Sequence, residues 1–188
     1  PLLDSAQILE NLKGKTNPFW NQYHAHYSTW LGGITKDPAL MIVPMDDHMV
    51  HRGDGVFEAI KTVDRRVFLL QEHLDRLARS AHRIGLKLPF PLHEIEAILM
   101  ETLRVANQAN VLIRLFVSRG PGGYTTNPYD SVASQLYITI TDLRLPKAEL
   151  YDVGVKIGRS QIPVKDSWMA QVKSCNYLPN VMMKKESI

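Results

Sequence analysis

Apolar residues recur at three- and four-residue intervals in two stretches. Leu74, Leu77, Ala78, Ala81 and Ile84 form one stripe, which predicts a helix over Glu72–Ile84 with Gly85 just past its end. Ile95, Ile98, Leu99, Thr102 and Leu103 predict a second helix, Glu94–Ala106. A shorter one runs to Leu12, capped by Asp4 or Ser5. Elsewhere the period is two. Val56–Val63 alternates, turns at Asp64-Arg65-Arg66 and returns through Val67–Leu70, a hairpin. Val111–Ser118 and Gln135–Asp142 read as strands, as do Leu40–Pro44 and Val153–Ile157. His24-Ala25-His26 leads into Tyr27–Trp30, and Gly32-Gly33 makes a turn. Near the end, Leu178, Val181 and Met182 return to helical spacing, with Pro179 suited to a first turn. Lys173 therefore lies on a strand end or loop just before a helix.

Together these elements predict an α+β domain of antiparallel strands and two helices over residues 1–142. A Pro- and Lys-containing linker follows over 143–150. Residues 151–188 open a second, larger unit, too short here for its own core. The sequence thus reads as incomplete at its C-terminus, and Pro1 without a Met reads as a trimmed start. No apolar run approaches the ~20 residues that span a bilayer, and the amphipathic start is not a secretion signal. The single cysteine, Cys175, excludes an internal disulfide and fits a reducing compartment; a cytoplasmic location is expected. A net charge of +3 is too small to argue for nucleic acid, so no nucleic-acid partner is expected, and it is compatible with small anions.

Several residues carry candidate chemistry. A partly desolvated Lys173 would have a lowered pKa and a nucleophilic amine, whereas an ordinary lysine there would be solvated. Arg76, Arg79 and Arg83 share one side of their helix, usually a solvated face. Arg114 interrupts an apolar strand, so it must be paired or point into a polar cavity. His24 and His26 could chelate a metal, but no third ligand is near, and no metal site is expected. Arg52-Gly53-Asp54 reads as a tight backbone turn rather than an adhesion signal. The loop Arg119–Asp130 is rich in Gly and Pro and lacks the Gly-Lys-Ser/Thr of a P-loop. Cys175 has no paired histidine, and a structural role is expected.

Four separated stretches, in order and at matching spacing, carry a resemblance. They are Gly53-Asp54-Gly55-Val56-Phe57-Glu58, then Glu72-His73-Leu74-Asp75-Arg76-Leu77 with Ser80-Ala81, then Val117-Ser118-Arg119-Gly120, and Lys173-Ser174-x-Asn176-Tyr177-Leu178. The chain resembles the class IV, or fold-type IV, pyridoxal-phosphate aminotransferases. That group includes branched-chain and D-amino-acid aminotransferases and aminodeoxychorismate lyases. The resemblance implies a two-domain fold with the small N-terminal α+β domain complete. It implies pyridoxal 5'-phosphate as cofactor, amino acid and 2-oxo acid substrates, and a homodimer. Lys173 matches the Schiff-base lysine and Arg76 the arginine that binds the cofactor phosphate. Tyr177 matches the tyrosine that meets the cofactor's phenolic oxygen, and Phe57 an aromatic that lines the substrate pocket. Arg114 resembles an arginine that takes the substrate carboxylate in branched-chain enzymes, although Leu112 departs from their pattern. The family's partner for the pyridine nitrogen falls beyond this chain, so the 188-residue piece alone is expected to be inactive.

Three functions follow from this resemblance. The preferred one is a transaminase. A lyase that eliminates pyruvate is the second, because Arg119–Tyr124 looks like the lyase loop. A non-catalytic module that kept the fold is the third.

Overall fold

In the computed structural model, which describes all 188 residues, one antiparallel sheet organises the chain. Its strands are β1 (Tyr23–Ser28), β2 (Gly33–Thr35), β3 (Gly55–Val63), β4 (Arg66–Val67), β5 (Val111–Ser118) and β6 (Gln135–Asp142), in the order β2-β1-β6-β5-β3-β4. The helices are α1 (Ser5–Lys13), α2 (His48–Arg52), α3 (Leu70–Arg83), α4 (Leu92–Ala106), α5 (Glu149–Val153), α6 (Ser167–Ala170) and α7 (Leu178–Glu186).

The two-residue period of β3, β5 and β6 gives the sheet two unlike faces. Val56 and Ile60, Ile113, Leu115 and Val117, and Leu136, Ile138 and Ile140 are all buried on one face. They share a core with Leu74, Leu77 and Ala81 of α3 and Ile95 and Leu99 of α4. On the opposite parity lie Phe57, Leu112, Arg114, Phe116 and Thr139, all partly exposed. The register pairs Phe57 with Phe116 and Arg114 with Thr139, so these side chains adjoin on the open face.

Strands Val111–Ser118 and Gln135–Asp142 have the bounds expected from sequence. Helix α3 begins two residues earlier than its apolar stripe suggests, at Leu70. Asp4 caps α1 through a capping box with Gln7. Three strand expectations are corrected. The return of the hairpin is only Arg66–Val67, because Leu69 adopts a left-handed conformation and ends it. The turn itself is two residues, Asp64 and Arg65, both left-handed, as a tight hairpin requires. Leu40–Pro44 is not a strand: Asp37 caps a short 3-10 turn at Pro38–Leu40, and irregular chain follows. Val153–Ile157 is not one either. Val153 ends α5, and Val155 and Ile157 are exposed. Alternation there finds no strand to pair with, and a strand without a ladder has no source of backbone hydrogen bonds.

The two histidines of β1 diverge in environment. His24 pairs with Asp142 at 2.7 Å. His26 is buried, meets Thr139 Oγ1 through Nδ1 at 3.1 Å, and stacks on Tyr137. Burial holds its pKa down at about 4, against an ordinary 6.5. The unfolded chain therefore binds a proton at His26 that the folded form refuses. Stability is full above pH 6.5 and falls as the pH drops towards 4, by up to ~3 kcal/mol. Urea midpoints measured across that range should fall less steeply in His26→Gln than in the parent protein.

Candidate active site

The segment carrying Lys173 completes an edge of the sheet. β4 covers only the far end of β3, at Thr62 and Val63. The near end takes residues 173–175 instead. Phe57 N donates to Lys173 O at 3.0 Å, Cys175 N donates to Gly55 O at 2.8 Å, and Val56 bridges Ser174. Val172 is buried in the core, and Lys173 N donates to the buried Ser80 Oγ of α3 at 3.3 Å. The turn before β3 makes room for the segment. Gly53 has φ 68°, and a Cβ there would sit 3.3 Å from Asn176. Helix α7 then begins at Leu178 with Pro179 in its first turn, so the placement of Lys173 on a strand edge before a helix is as expected.

Antiparallel pairing puts Lys173 beside Phe57, on the open parity of the sheet. Its Nζ lies 4.1 Å from the centre of the Phe57 ring and 5.5 Å from that of Tyr177. Phe57 meets Tyr177 edge-on at 5.1 Å and stacks on Phe116 at 5.7 Å. The lysine amine thus rests near aromatic faces, which attract a cation.

Arg76 reaches the same place from α3. A cleft of about 380 Å3 is lined by Arg76, Lys165, Lys173, Tyr177, Asn180 and neighbouring apolar side chains. Three cations and no carboxylate line it, the charge pattern of an anion site. Asn180 keeps a buried Oδ1 with no hydrogen-bond partner. A larger depression of about 580 Å3 lies near Leu86–Phe90 and Ser131–Gln135. Its Arg119 is already bound to Asp54, at 2.5 and 3.1 Å, and to the carbonyls of Ile84 and Gly85. Size alone does not locate the chemistry.

Arg114 stands apart. It lines a separate cleft of about 430 Å3 with Tyr23, Phe116, Thr139, Asp142 and Arg144. Its Nη1 donates to Thr141 Oγ1 at 3.0 Å, and no salt bridge holds it. Both sequence options apply, since it has a polar partner and faces a cavity. Phe57, Lys173, Tyr177 and Arg76 come together, with Arg114 further along the open face.

The chain matches the family described as amino-transferase class IV over residues 55–188. It belongs to that family. It is 38% identical over 187 residues to the chloroplastic D-amino-acid transaminase of Arabidopsis thaliana, covering 100% of this chain and 49% of that protein. Among solved structures, the 4-amino-4-deoxychorismate lyase of Pseudomonas aeruginosa overlaps with a TM-score of 0.68 at 20% identity. That match covers 77% of this chain and 53% of the other. The branched-chain amino acid aminotransferase of Escherichia coli overlaps with a TM-score of 0.57 at 23% identity, covering 65% and 41%. These two likenesses show the fold: the six-stranded unit is the N-terminal α+β domain of fold-type IV enzymes. The class IV chain spans about half the length of the curated relatives it matches.

Class IV enzymes depend on pyridoxal phosphate, and a cleft lined by Arg76, Lys165 and Lys173 with no carboxylate suits a phosphorylated ligand. Several motif residues prove to be scaffolding. Asp54 and Arg119 form the salt bridge just described, and Ser118 donates to the buried Asp47, which also caps α2 and accepts from Tyr137. Burial pushes the Cys175 thiol up to about 12, with the negative charges of Asp47 and Asp54 adding to it, so the thiol stays protonated at neutral pH. Sequence reasoning gave no role to Glu58, His73, Lys165 or Asn180. For Glu58 a signal existed: a carboxylate on the core parity of an apolar strand demands a buried partner.

Proposed function

We propose that the protein carrying this chain is a pyridoxal-phosphate-dependent transaminase that moves an amino group between an amino acid and a 2-oxo acid. The observation that carries this reading is the shared cleft. Lys173 and Arg76, 97 residues apart in sequence (173 − 76), line one cavity with no acidic side chain on its wall. When bound, the cofactor supplies the electron sink for chemistry at the substrate α-carbon.

This chain's residues then divide the work. Lys173 would supply the amine that holds the cofactor and would move the proton at the substrate α-carbon. Its seat on Phe57, Tyr177 and the sheet edge limits where that amine can go. Arg76 offers phosphate a planar set of donors that a lysine could not reproduce. Tyr177, on the same cleft, would offer its hydroxyl to the cofactor's phenolic oxygen. Phe57 walls the substrate side. Arg114, free of any carboxylate partner, is the candidate for a substrate carboxylate. Homodimerisation and a cytoplasmic location belong to the same proposal; no helix here is long and apolar enough to cross a membrane.

The loop Arg119–Tyr124 supports a pyruvate-releasing lyase as the second reading. Incubating the full-length protein with amino donors separates the two. A transaminase consumes 2-oxoglutarate in step with the donor and releases no pyruvate from aminodeoxychorismate. Multiple-turnover pyruvate release from aminodeoxychorismate without 2-oxoglutarate would replace the first reading with the second.

A further inference from the structure

Glu58 is fully buried, on the core parity of β3 between Val56 and Ile60. An isolated carboxylate there would be costly, and α3 supplies what it needs. Arg76 Nε donates to Oε1 at 2.7 Å and Nη2 donates to Oε2 at 2.5 Å. His73, one helical turn before Arg76, adds a third contact from Nδ1 to Oε2 at 2.8 Å. An ionised carboxylate only accepts, so Nδ1 is the protonated nitrogen of His73. Burial raises the Glu58 pKa, but the bonds from Arg76 and His73 outweigh it and leave it below the ordinary value. The glutamate is therefore charged at neutral pH, and its hydrogen bond raises the pKa of Arg76.

We propose that Glu58 is a positioning residue for the cofactor phosphate: it clamps one edge of the Arg76 guanidinium and turns the other, Nη1, to the cleft. The proposal rests on the reading of the cleft as a pyridoxal-phosphate site. Nη1 makes no hydrogen bond within the chain, and the Arg76 side chain is 47% exposed. A free arginine on a helix surface samples many rotamers, and a ligand must then bear the entropy of ordering it. The Glu58 clamp moves that cost from binding to folding. The carboxylate also carries a charge that repels phosphate. It meets the Nε–Nη2 edge, however, while Lys165 and Lys173 line the cleft without a carboxylate partner. Orientation is therefore the larger effect. His73, 17% exposed, holds the glutamate from the third side.

The test compares pyridoxal 5'-phosphate with pyridoxal in the full-length protein, following covalent attachment by the visible absorbance band. Pyridoxal has the aldehyde and lacks the phosphate, so the ratio of the two affinities isolates the phosphate contact. Glu58→Gln keeps the shape and removes the clamp. It is expected to lower the ratio of phosphate-bearing to phosphate-free affinity by roughly ten- to a hundredfold, the range found for residues that support metal ligands, with pyridoxal affinity little changed. Because both ligands are measured on one variant, partial loss of folded protein cancels. If Glu58→Gln does not fold, His73→Asn, which loosens the same carboxylate, is expected to lower the ratio by a smaller factor. An unchanged ratio in a folded variant overturns the positioning role and leaves the cofactor reading standing. A raised ratio overturns it too, since Glu58 would then act only as a competing charge. No attachment of either ligand to the parent protein overturns both.

Discussion

Lys173→Ala in the full-length protein eliminates the visible band of the bound cofactor and lowers transaminase turnover by at least ~10³-fold. That magnitude is what loss of the group that both attaches the cofactor and carries the proton should remove. The fold is expected to survive. The bonds that fix this segment are main-chain ones, from Phe57 N to Lys173 O and from Cys175 N to Gly55 O, and alanine keeps them. What alanine loses locally is the amine over the Phe57 ring, worth ~0.5–1 kcal/mol at such a site. A Tm within a few degrees of the parent alongside lost turnover therefore marks a catalytic defect. Undiminished turnover in this variant would refute the assignment of Lys173 and, with it, the proposed reaction.

The second large effect is structural. Gly120 follows the Ser118-Arg119 pair and sits at φ +100°, where side chains are strained. A Cβ there would lie 1.8 Å from Ala133 O and 2.8 Å from Ala133 C, both backbone atoms that cannot swing aside. Gly120 also donates to Ser118 Oγ at 2.9 Å and accepts from His48 N at 3.1 Å, tying the loop to α2. Gly120→Ala should therefore destabilise by about 3–5 kcal/mol, the sum of backbone strain and overpacking. For a chain of this size the Tm should drop by roughly 10 °C. Gly123→Ala is the control. Its Cβ would meet nothing nearer than 3.5 Å, and its cost should stay within about 0.5 kcal/mol. Equal melting temperatures for the two variants would contradict the account.

The elements that sequence reading located correctly share one property: their signal is local and repeated. The apolar stripe of α3 and the alternation of β5 are each confirmed by many residues, and burial follows the same period. The misread strands, Leu40–Pro44 and Val153–Ile157, have apolar content but no partner, and strand formation depends on a neighbour that local sequence does not contain. Lys173 was legible through its motif, as was its place before a helix. That it rests on Phe57 and Tyr177 was not, because the contact arises only when residues 173–175 pair with the start of β3.

Glu58 marks the boundary between the two kinds of information. Its position on the inward parity of β3 follows from the strand's own period, and burial of a carboxylate implies a cationic partner. Which cation answers it is decided by how α3 crosses the sheet, and Arg79 and Arg83 were equally available by spacing. By itself, then, the sequence determined the strand and helix periods, the lysine before α7 and the family motifs, because each is written in neighbouring residues. Only the tertiary structure decided which arginine is clamped, which cations share a cleft and which motif residues are scaffolding. Those outcomes depend on distances between segments far apart in the chain.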